Sequence, residues 1–576
     1  MGAAAITRTR IFPLALGIGA LAVAILAAEV LIRIGVINRF IVPLPSQIAP
    51  AFWRVIVEED IAERFRLTFL EALAAGVMIT LIGVAMGVML YRLKLLRDAT
   101  ETWIAALASA PIVLMYPLFL VVFGRNAWTI IMMGFVAGLP PVILKTIEGL
   151  AGTRRVLIDV GRSFNLTGPQ LFIKILMPAA LPTIFVGVRL GLIFTLINVV
   201  GVEFLINFGG LGQLINDLAE RYDLPGTYAA ICFVILVSVC FFVLTEWIER
   251  RPIALAIGIF VAAIAAAEPT AADAERWFES IVSWFSSMAR WPEVFIATII
   301  RLSSDPANLI RLLVWAAALA AMLLGAPWLR PVTLLRIGIV FAISLVWEFL
   351  AVSGWLYQDV VPPLEAIATA VWALLTATDY YGNLAATAGE VGAGLAIGGL
   401  SGIAVGLVLG INRTLSRSFE PYLYYLGPTP KIIFFPVMIM WFGVGQGSKV
   451  AMGAISCFFP VALSVAAAAR QIDDVLIRVG KSFRANPWQM AVKIYLPAMR
   501  HPVINGVRLG LGVAIIGALL AETKLSNRGI GFLINQAYSL FVMPRMYAML
   551  IVLFVLAIGA NALVGRLGGL AAIRQR

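Results

Sequence analysis

Residues 210–216 read Gly210-Leu-Gly212-Gln-Leu-Ile-Asn216, and residues 529–535 read Gly529-Ile-Gly531-Phe-Leu-Ile-Asn535. The two stretches lie 319 positions apart (529 less 210), and that one offset aligns Glu29–Tyr228 with Glu348–Tyr547 without a gap. Working outward from the pair, it matches Glu203 with Glu522, Arg189 with Arg508, Pro178 with Pro497, and Lys174 with Lys493. Farther toward the N-terminus it matches Pro111 with Pro430, Glu71 with Glu390, Thr68 with Thr387, Trp53 with Trp372 and Glu29 with Glu348. Duplication of a whole membrane unit is how many transporters line one pathway with two equivalent halves, so the repeat raises transport as the first expectation.

The chain has 576 residues, of which 61% are hydrophobic and only 13% charged, with a mean hydropathy of +0.98. A soluble domain carries about 25% charged residues. Apolar runs fall at 11–36, 68–91, 102–123, 127–147, 183–207 and 227–248, and again at 332–356, 387–410, 421–442, 447–469, 502–526 and 546–566. A helix of about 20 apolar residues crosses the hydrocarbon core. The expectation is an all-α polytopic membrane protein with two tandem six-helix repeats in parallel orientation. The first run follows Arg8 and Arg10 like a secretory signal, but it is long and its counterpart lies mid-chain, so a retained span is expected.

Residues 252–331 have no partner in the other half. Within them Pro252–Ala267 and Leu309–Gly325 read as two linker spans, which keep both halves facing the same way. Between these, Trp277, Phe278, Ile281, Trp284, Phe285 and Met288 recur at helical spacing, as in a helix lying in the membrane interface. The chain thus divides into a first unit at 1–251, a linker at 252–331 and a second unit at 332–576.

The net charge of +12 does not point to nucleic acid, because Lys and Arg concentrate in short connections between apolar runs. That is the positive-inside pattern, and it places the N-terminus and the long 148–182 connection in the cytoplasm. Cys232, Cys240 and Cys457 all lie in apolar runs and His501 is the single histidine, so neither a disulfide framework nor a His-based metal cluster is expected.

The 148–182 connection reads Asp159-Val160-Gly161-Arg-Ser-Phe164, then Gln170, Lys174 and Met177-Pro178. Its twin reads Arg478-Val479-Gly480-Lys-Ser-Phe483, then Gln489, Lys493 and Leu496-Pro497. Both resemble the EAA loop of the permease subunits of ATP-binding-cassette importers: Glu-Ala-Ala, three residues, Gly, then an apolar stretch ending in Leu-Pro. Anchored on the prolines, the acidic position falls on Asp159 and Arg478, and the glycine position on Asn165 and Arg484. Downstream, Gly187-Val-Arg189-Leu-Gly, Gly506-Val-Arg508-Leu-Gly and the two Gly-rich heptapeptides are similar to the nitrate, sulfonate, taurine and bicarbonate group of these permeases.

The resemblance implies two permease units fused in one chain of a bacterial inner membrane, translocating a small polar solute such as a nitrate-, sulfonate- or taurine-like anion. It implies two copies of a cytoplasmic ATPase, one per loop, and a periplasmic or extracellular solute-binding protein. The loop residues Asp159, Val160, Gly161, Phe164, Lys174 and Pro178, with Arg478, Val479, Gly480, Phe483, Lys493 and Pro497, are then the coupling elements. The chain itself is expected to bind no cofactor, ATP being used by the partner. Gly480-Lys481-Ser482 looks like the end of a phosphate loop, but Val475 stands where its first glycine is required.

Three acidic pairs lie in or at the ends of spans: Glu29 and Glu348, Glu71 and Glu390, Glu203 and Glu522. Carboxylates in a membrane are costly and mark pathways or proton relays, which makes Glu203 and Glu522 pathway candidates; hydrogen bonds between helices are the structural alternative. An ion- or proton-coupled carrier is the second functional reading. Arg189 and Arg508 are expected to snorkel or to pair with the coupling loops. Gly399-Leu-Ser401-Gly402 matches an intramembrane serine-protease pattern, but the Ser401 position is Ile82 in the other half, and a small-residue packing face is the expectation.

Overall fold

The structure, a computed structural model, describes residues 3–108, 110–249, 329–353 and 360–573, with Trp315, Ala317, Ala320 and Met322 besides. The expected linker spans and the interfacial helix between them lie outside the described residues, those four apart. Regular structure among the described residues is helical throughout.

Ten described helices are long and apolar enough to cross a membrane. In the first half they are Phe12–Arg33, Ile61–Arg92, Ala127–Ala151, Gly168–Ile206 and Leu224–Glu249. Their counterparts are Pro331–Val352, Thr378–Ile411, Gln446–Ala469, Arg500–Lys524 and Met543–Arg566. These are the first, second, fourth, fifth and sixth expected runs of each half.

The third run departs from expectation. In place of straight spans at 102–123 and 421–442, Lys94–Ala108 and Ile112–Phe123 meet at 88°, and Arg413–Leu426 and Lys431–Phe442 at 96°. Pro111 and Pro430 sit in the breaks. Each lacks an amide donor and disfavours a helical conformation in the residue before it, so the helix stops there and restarts as a tight turn. The α-helical part of the second arm, Tyr116–Phe123 or Phe435–Phe442, has 8 residues. At 1.5 Å per residue it covers about 12 Å, less than half the hydrocarbon core. The repeat has six crossings per half only when each bent pair is counted as one.

Within a half, the second, fourth and fifth spans pack through small residues. A methyl group on Gly138 would stand 2.7 Å from the Gly191 carbonyl oxygen. Close backbone approach replaces the hydrophobic driving force that lipid does not supply.

The halves interlock through their first spans. Phe12–Arg33 lies against Arg413–Leu426 of the other half, and a side chain at Gly17 would meet the Ser418 carbonyl oxygen at 2.7 Å. Reciprocally, Pro331–Ser353 lies against Lys94–Ala108, and Arg336 donates to the carbonyls of Asp98 (2.7 Å) and Ala99 (3.2 Å). Between the halves one core draws on both, with Val113, Leu114, Tyr116 and Phe204 meeting Ile432, Ile433, Phe435 and Leu519.

Candidate functional site: coupling helices and helix-capping carboxylates

Arg155–Ser163 and Asp474–Ser482 form short helices at corresponding places in the two halves. Each closes with the same turn. The Leu166 amide donates to the Gly161 carbonyl (3.1 Å), and the Ala485 amide to the Gly480 carbonyl (3.1 Å). That closure needs a left-handed residue, supplied by Asn165 (φ +53°) and Arg484 (φ +50°). The family's glycine position is therefore left-handed here in both halves, and Arg484 does not alter the backbone path.

A capping box then starts the next helix, with Thr167 and Gln170 in one half and Asn486 and Gln489 in the other. A five-residue π-turn, Phe172–Leu176 or Ala491–Tyr495, feeds the chain into the fifth span. The Arg484 turn carries an avoidable cost, because an L-residue with a β-carbon is disfavoured there by about 1 kcal/mol. Arg484→Gly is expected to raise the thermal midpoint of the detergent-solubilised chain. An unchanged or lower midpoint would show that the arginine side chain offsets the strain.

Gly161 and Gly480 are the buried residues of these helices. A methyl group on Gly161 would stand 2.4 Å from a Leu171 methyl, and on Gly480 2.2 Å from an Ile494 methyl. The glycines let each short helix pack directly on the start of the fifth span. Around the glycines Val156, Leu157, Val160 and Phe164 are exposed, as are Val475, Leu476, Val479 and Phe483. Phe164 is 74% exposed and Phe483 83%. Asp159 pairs weakly with Arg162 (3.6 Å), while Arg478, Lys174, Lys493, Pro178 and Pro497 are all exposed. An exposed apolar stripe rimmed by charge is the signature of a partner surface.

At the other end of the spans the paired glutamates act as helix caps. Glu203 and Glu522 are fully buried. Glu203 Oε2 accepts the Gly212 amide (2.9 Å), and Glu522 Oε2 the Gly531 amide (2.7 Å). Next to them Thr68 Oγ1 accepts the Leu211 amide and Thr387 Oγ1 the Ile530 amide, both at 2.9 Å. Glu71 lies against Glu203, and Glu390 against Glu522.

The helices so capped, Gly210–Glu220 and Ile530–Ser539, follow directly on the fifth spans. Their free N-terminal amides and dipole favour an anion at that end. Gly210 (φ +71°) and Gly529 (φ +106°) leave room for it, since a β-carbon there would stand 2.2 and 2.4 Å from the carboxyl carbon.

Glu29 and Glu348 do the same for Pro45–Glu58 and Leu364–Thr376. Glu29 accepts the Ser46 amide (3.0 Å) and Glu348 the Leu364 amide (3.0 Å). The one-residue shift follows from Pro45, which has no amide to give where its twin Leu364 has one. The threonines' share in these caps was not apparent from the sequence; the constant spacing of Thr68 to Glu71 and Thr387 to Glu390 was the available signal.

Arg189 and Arg508 pair elsewhere than with the two short helices, where one expectation had placed them. Arg189 pairs with Glu249 (2.8 Å) and Arg508 donates to Asn561 (3.1 Å), both at the far end of the sixth span. Ser401 donates to the Ile397 carbonyl of its own helix (2.6 Å), a back-bond and not a nucleophile's geometry. Gly480-Lys481-Ser482 ends a helix, where the backbone offers carbonyls and not the amides a phosphate needs.

The sequence matches the family model "Binding-protein-dependent transport system inner membrane component" twice, at residues 79–253 and 401–570. The matches cover more than half of the chain, and the protein belongs to this family. It is a multi-pass permease component of the ATP-binding-cassette importer class, with two permease units in one polypeptide. It is 29% identical over 253 residues to the taurine transport system permease protein of Escherichia coli (strain K12), which is 42% of this chain and 90% of that protein. A putative aliphatic sulfonates transport permease of the same organism is 29% identical over 231 residues, 40% of this chain and 84% of that protein. The bicarbonate transport system permease of Synechococcus elongatus is 28% identical over 175 residues, 30% of this chain and 61% of that protein.

Proposed function

We propose that this single chain forms the complete membrane pathway of an importer for a small polar anion. A solute-binding protein delivers the anion on the outer face, and two copies of a separate cytoplasmic ATPase drive it. The observation that carries this reading is the pair of coupling helices, each seated by a buried glycine on a fifth span and each presenting the same four apolar side chains outward. Two equivalent docking faces call for two equivalent partners. The N-terminus and both coupling helices then lie in the cytoplasm, in keeping with the basic residues of the 148–182 connection. The chain holds no cofactor of its own, and ATP is consumed on the partner.

The anionic solute follows from the taurine, sulfonate and bicarbonate permeases to which the chain is similar over 30–42% of its length. The ion-coupled reading is not favoured by the family match. Uptake of radiolabelled taurine, methanesulfonate, bicarbonate and, as an uncharged probe, riboflavin by cells of the native host tests the proposal. One of the anions is expected to accumulate, to stop when cellular ATP is depleted, and to persist when a protonophore collapses the proton gradient with ATP held constant. Loss with the protonophore alone would establish the ion-coupled carrier instead.

A further inference from the structure

Comparing the halves twin by twin brings out three lysines on spans of the second half where the first half is apolar. Lys431 stands opposite Ile112, Lys449 opposite Ile130 and Lys524 opposite Leu205. Two of them are occupied in holding backbone. Lys431 Nζ donates to the carbonyls of Leu426 (2.7 Å), Gly427 (2.9 Å) and Thr429 (2.9 Å), closing the broken third run. Lys449 Nζ donates to the carbonyls of Val444, Gly445 (3.0 Å) and Leu525 (2.9 Å).

Lys524 differs from both. Among the described residues its ammonium has no hydrogen bond and no ion pair within 4.0 Å. It reaches across the boundary between the halves and stands 5.0 Å from the centroid of the Phe204 ring. The carboxylate whose field it feels is Glu220, also of the first half, which itself accepts from Asn216 Nδ2 (2.6 Å). Around it lies the seam between the halves. Phe204 meets Phe435 edge to face (6.3 Å), and the Tyr116 hydroxyl donates to Asn535 Oδ1 (3.0 Å). Lys524 ends the fifth span, so it sits at the end of the seam far from the coupling helices.

The repeat exchanges Lys524 for Leu205 and Glu220 for Ser539, so the positive charge occupies one side of the seam only. Lys524 is half-buried there, and a ring face compensates for only part of the hydration it gives up. A charge kept there without a structural bond is placed to meet a ligand.

We propose that Lys524 is the counter-charge for the anionic solute where it enters between the halves. The inference rests on the anion reading above and deepens it. The solute's anionic group supplies the acceptor that the ammonium lacks among the described residues, while the apolar groups of the seam take up the rest of it.

The test uses the anion that the wild-type host accumulates, with the complete importer expressed from its native locus. Lys524→Gln is expected to lower its uptake by about tenfold or more, the loss of one charge-assisted contact, with unchanged recovery of the assembled complex. Lys524→Arg is expected to retain most of it. Lys524→Cys, in a chain also carrying Cys232→Ser and Cys240→Ser, is expected to regain uptake when treated with aminoethyl methanethiosulfonate, which restores an ammonium, and not with the sulfonatoethyl reagent. Glu220→Gln is expected to leave uptake intact. Wild-type uptake in Lys524→Gln would overturn the inference, as would failure of the aminoethyl rescue. So would a Glu220→Gln defect equal to that of Lys524→Gln, which would make the two residues a latch between the halves. Uptake of riboflavin and of none of the anions by the wild type would instead defeat the anion reading itself, before any variant is compared.

Discussion

Replacing Phe164 and Phe483 together with Asp is expected to abolish transport while the chain still inserts and keeps its thermal midpoint. Both residues are more than 70% exposed, so replacing them removes little internal packing. Fully burying a Phe side chain is worth about 1.5–3 kcal/mol, and aromatic anchors at the centre of an interface are worth about 2 kcal/mol or more. Placing a carboxylate there adds a desolvation cost to the lost burial. Each loss weakens its own docking equilibrium by about thirtyfold or more, and the two together weaken binding of the pair by about a thousandfold. The single variants are the informative controls. The corresponding turns and apolar faces of the two helices predict comparable defects from Phe164→Asp and Phe483→Asp, although the acidic position is Asp159 in one and Arg478 in the other. ATPase recovery in pull-downs, read beside uptake, checks this; a double variant that transports normally would remove the coupling role from both helices.

Glu203→Ala and Glu522→Ala are expected to destabilise the chain more than any surface change. Each leaves the Gly212 or Gly531 amide without its acceptor, and each such stranded buried group costs about 1–3 kcal/mol. Each also opens a cavity beside Gly210 or Gly529. Glu203→Gln and Glu522→Gln keep an oxygen for the amide and cannot ionise. They separate a cap from a proton carrier: the account predicts uptake within about twofold of wild type, where a relay carboxylate would be indispensable. Fluorescence-monitored melting of the purified variants gives the first half of the comparison and uptake the second.

Much of this architecture is legible in the sequence. The repeat offset locates both halves, hydropathy finds ten of the crossings, and the proline-anchored loops fall on two short helices at matching positions. The bends at Pro111 and Pro430 were visible as residues but not as an 88° or 96° turn, because prolines within membrane helices are often absorbed by neighbouring groups. The crossing of each first span onto the opposite half leaves no trace in hydropathy, which reports how apolar a helix is and not which helix it touches. Its contacts include a glycine at position 17 and an arginine at position 336, which are each other's counterparts under the repeat offset and share no chemistry. The carboxylate caps were half legible. Glu203 and Glu522 stand just before the glycine-rich segments in the sequence, but only the packed spans show that they cap them and that Thr68 and Thr387 complete the same job. Arg484 is the clearest case of structure overriding propensity, since the turn closed by Gly480 imposes φ +50° on a residue that disfavours it.

The central claim is that one chain presents two working docking sites for one kind of ATPase. Native mass spectrometry of the complex purified in mild detergent from the host membrane tests it most directly. The account predicts two ATPase subunits for each copy of the chain, both lost with Phe164→Asp and Phe483→Asp combined. A preparation that still transports yet carries one ATPase subunit, or none, would contradict it.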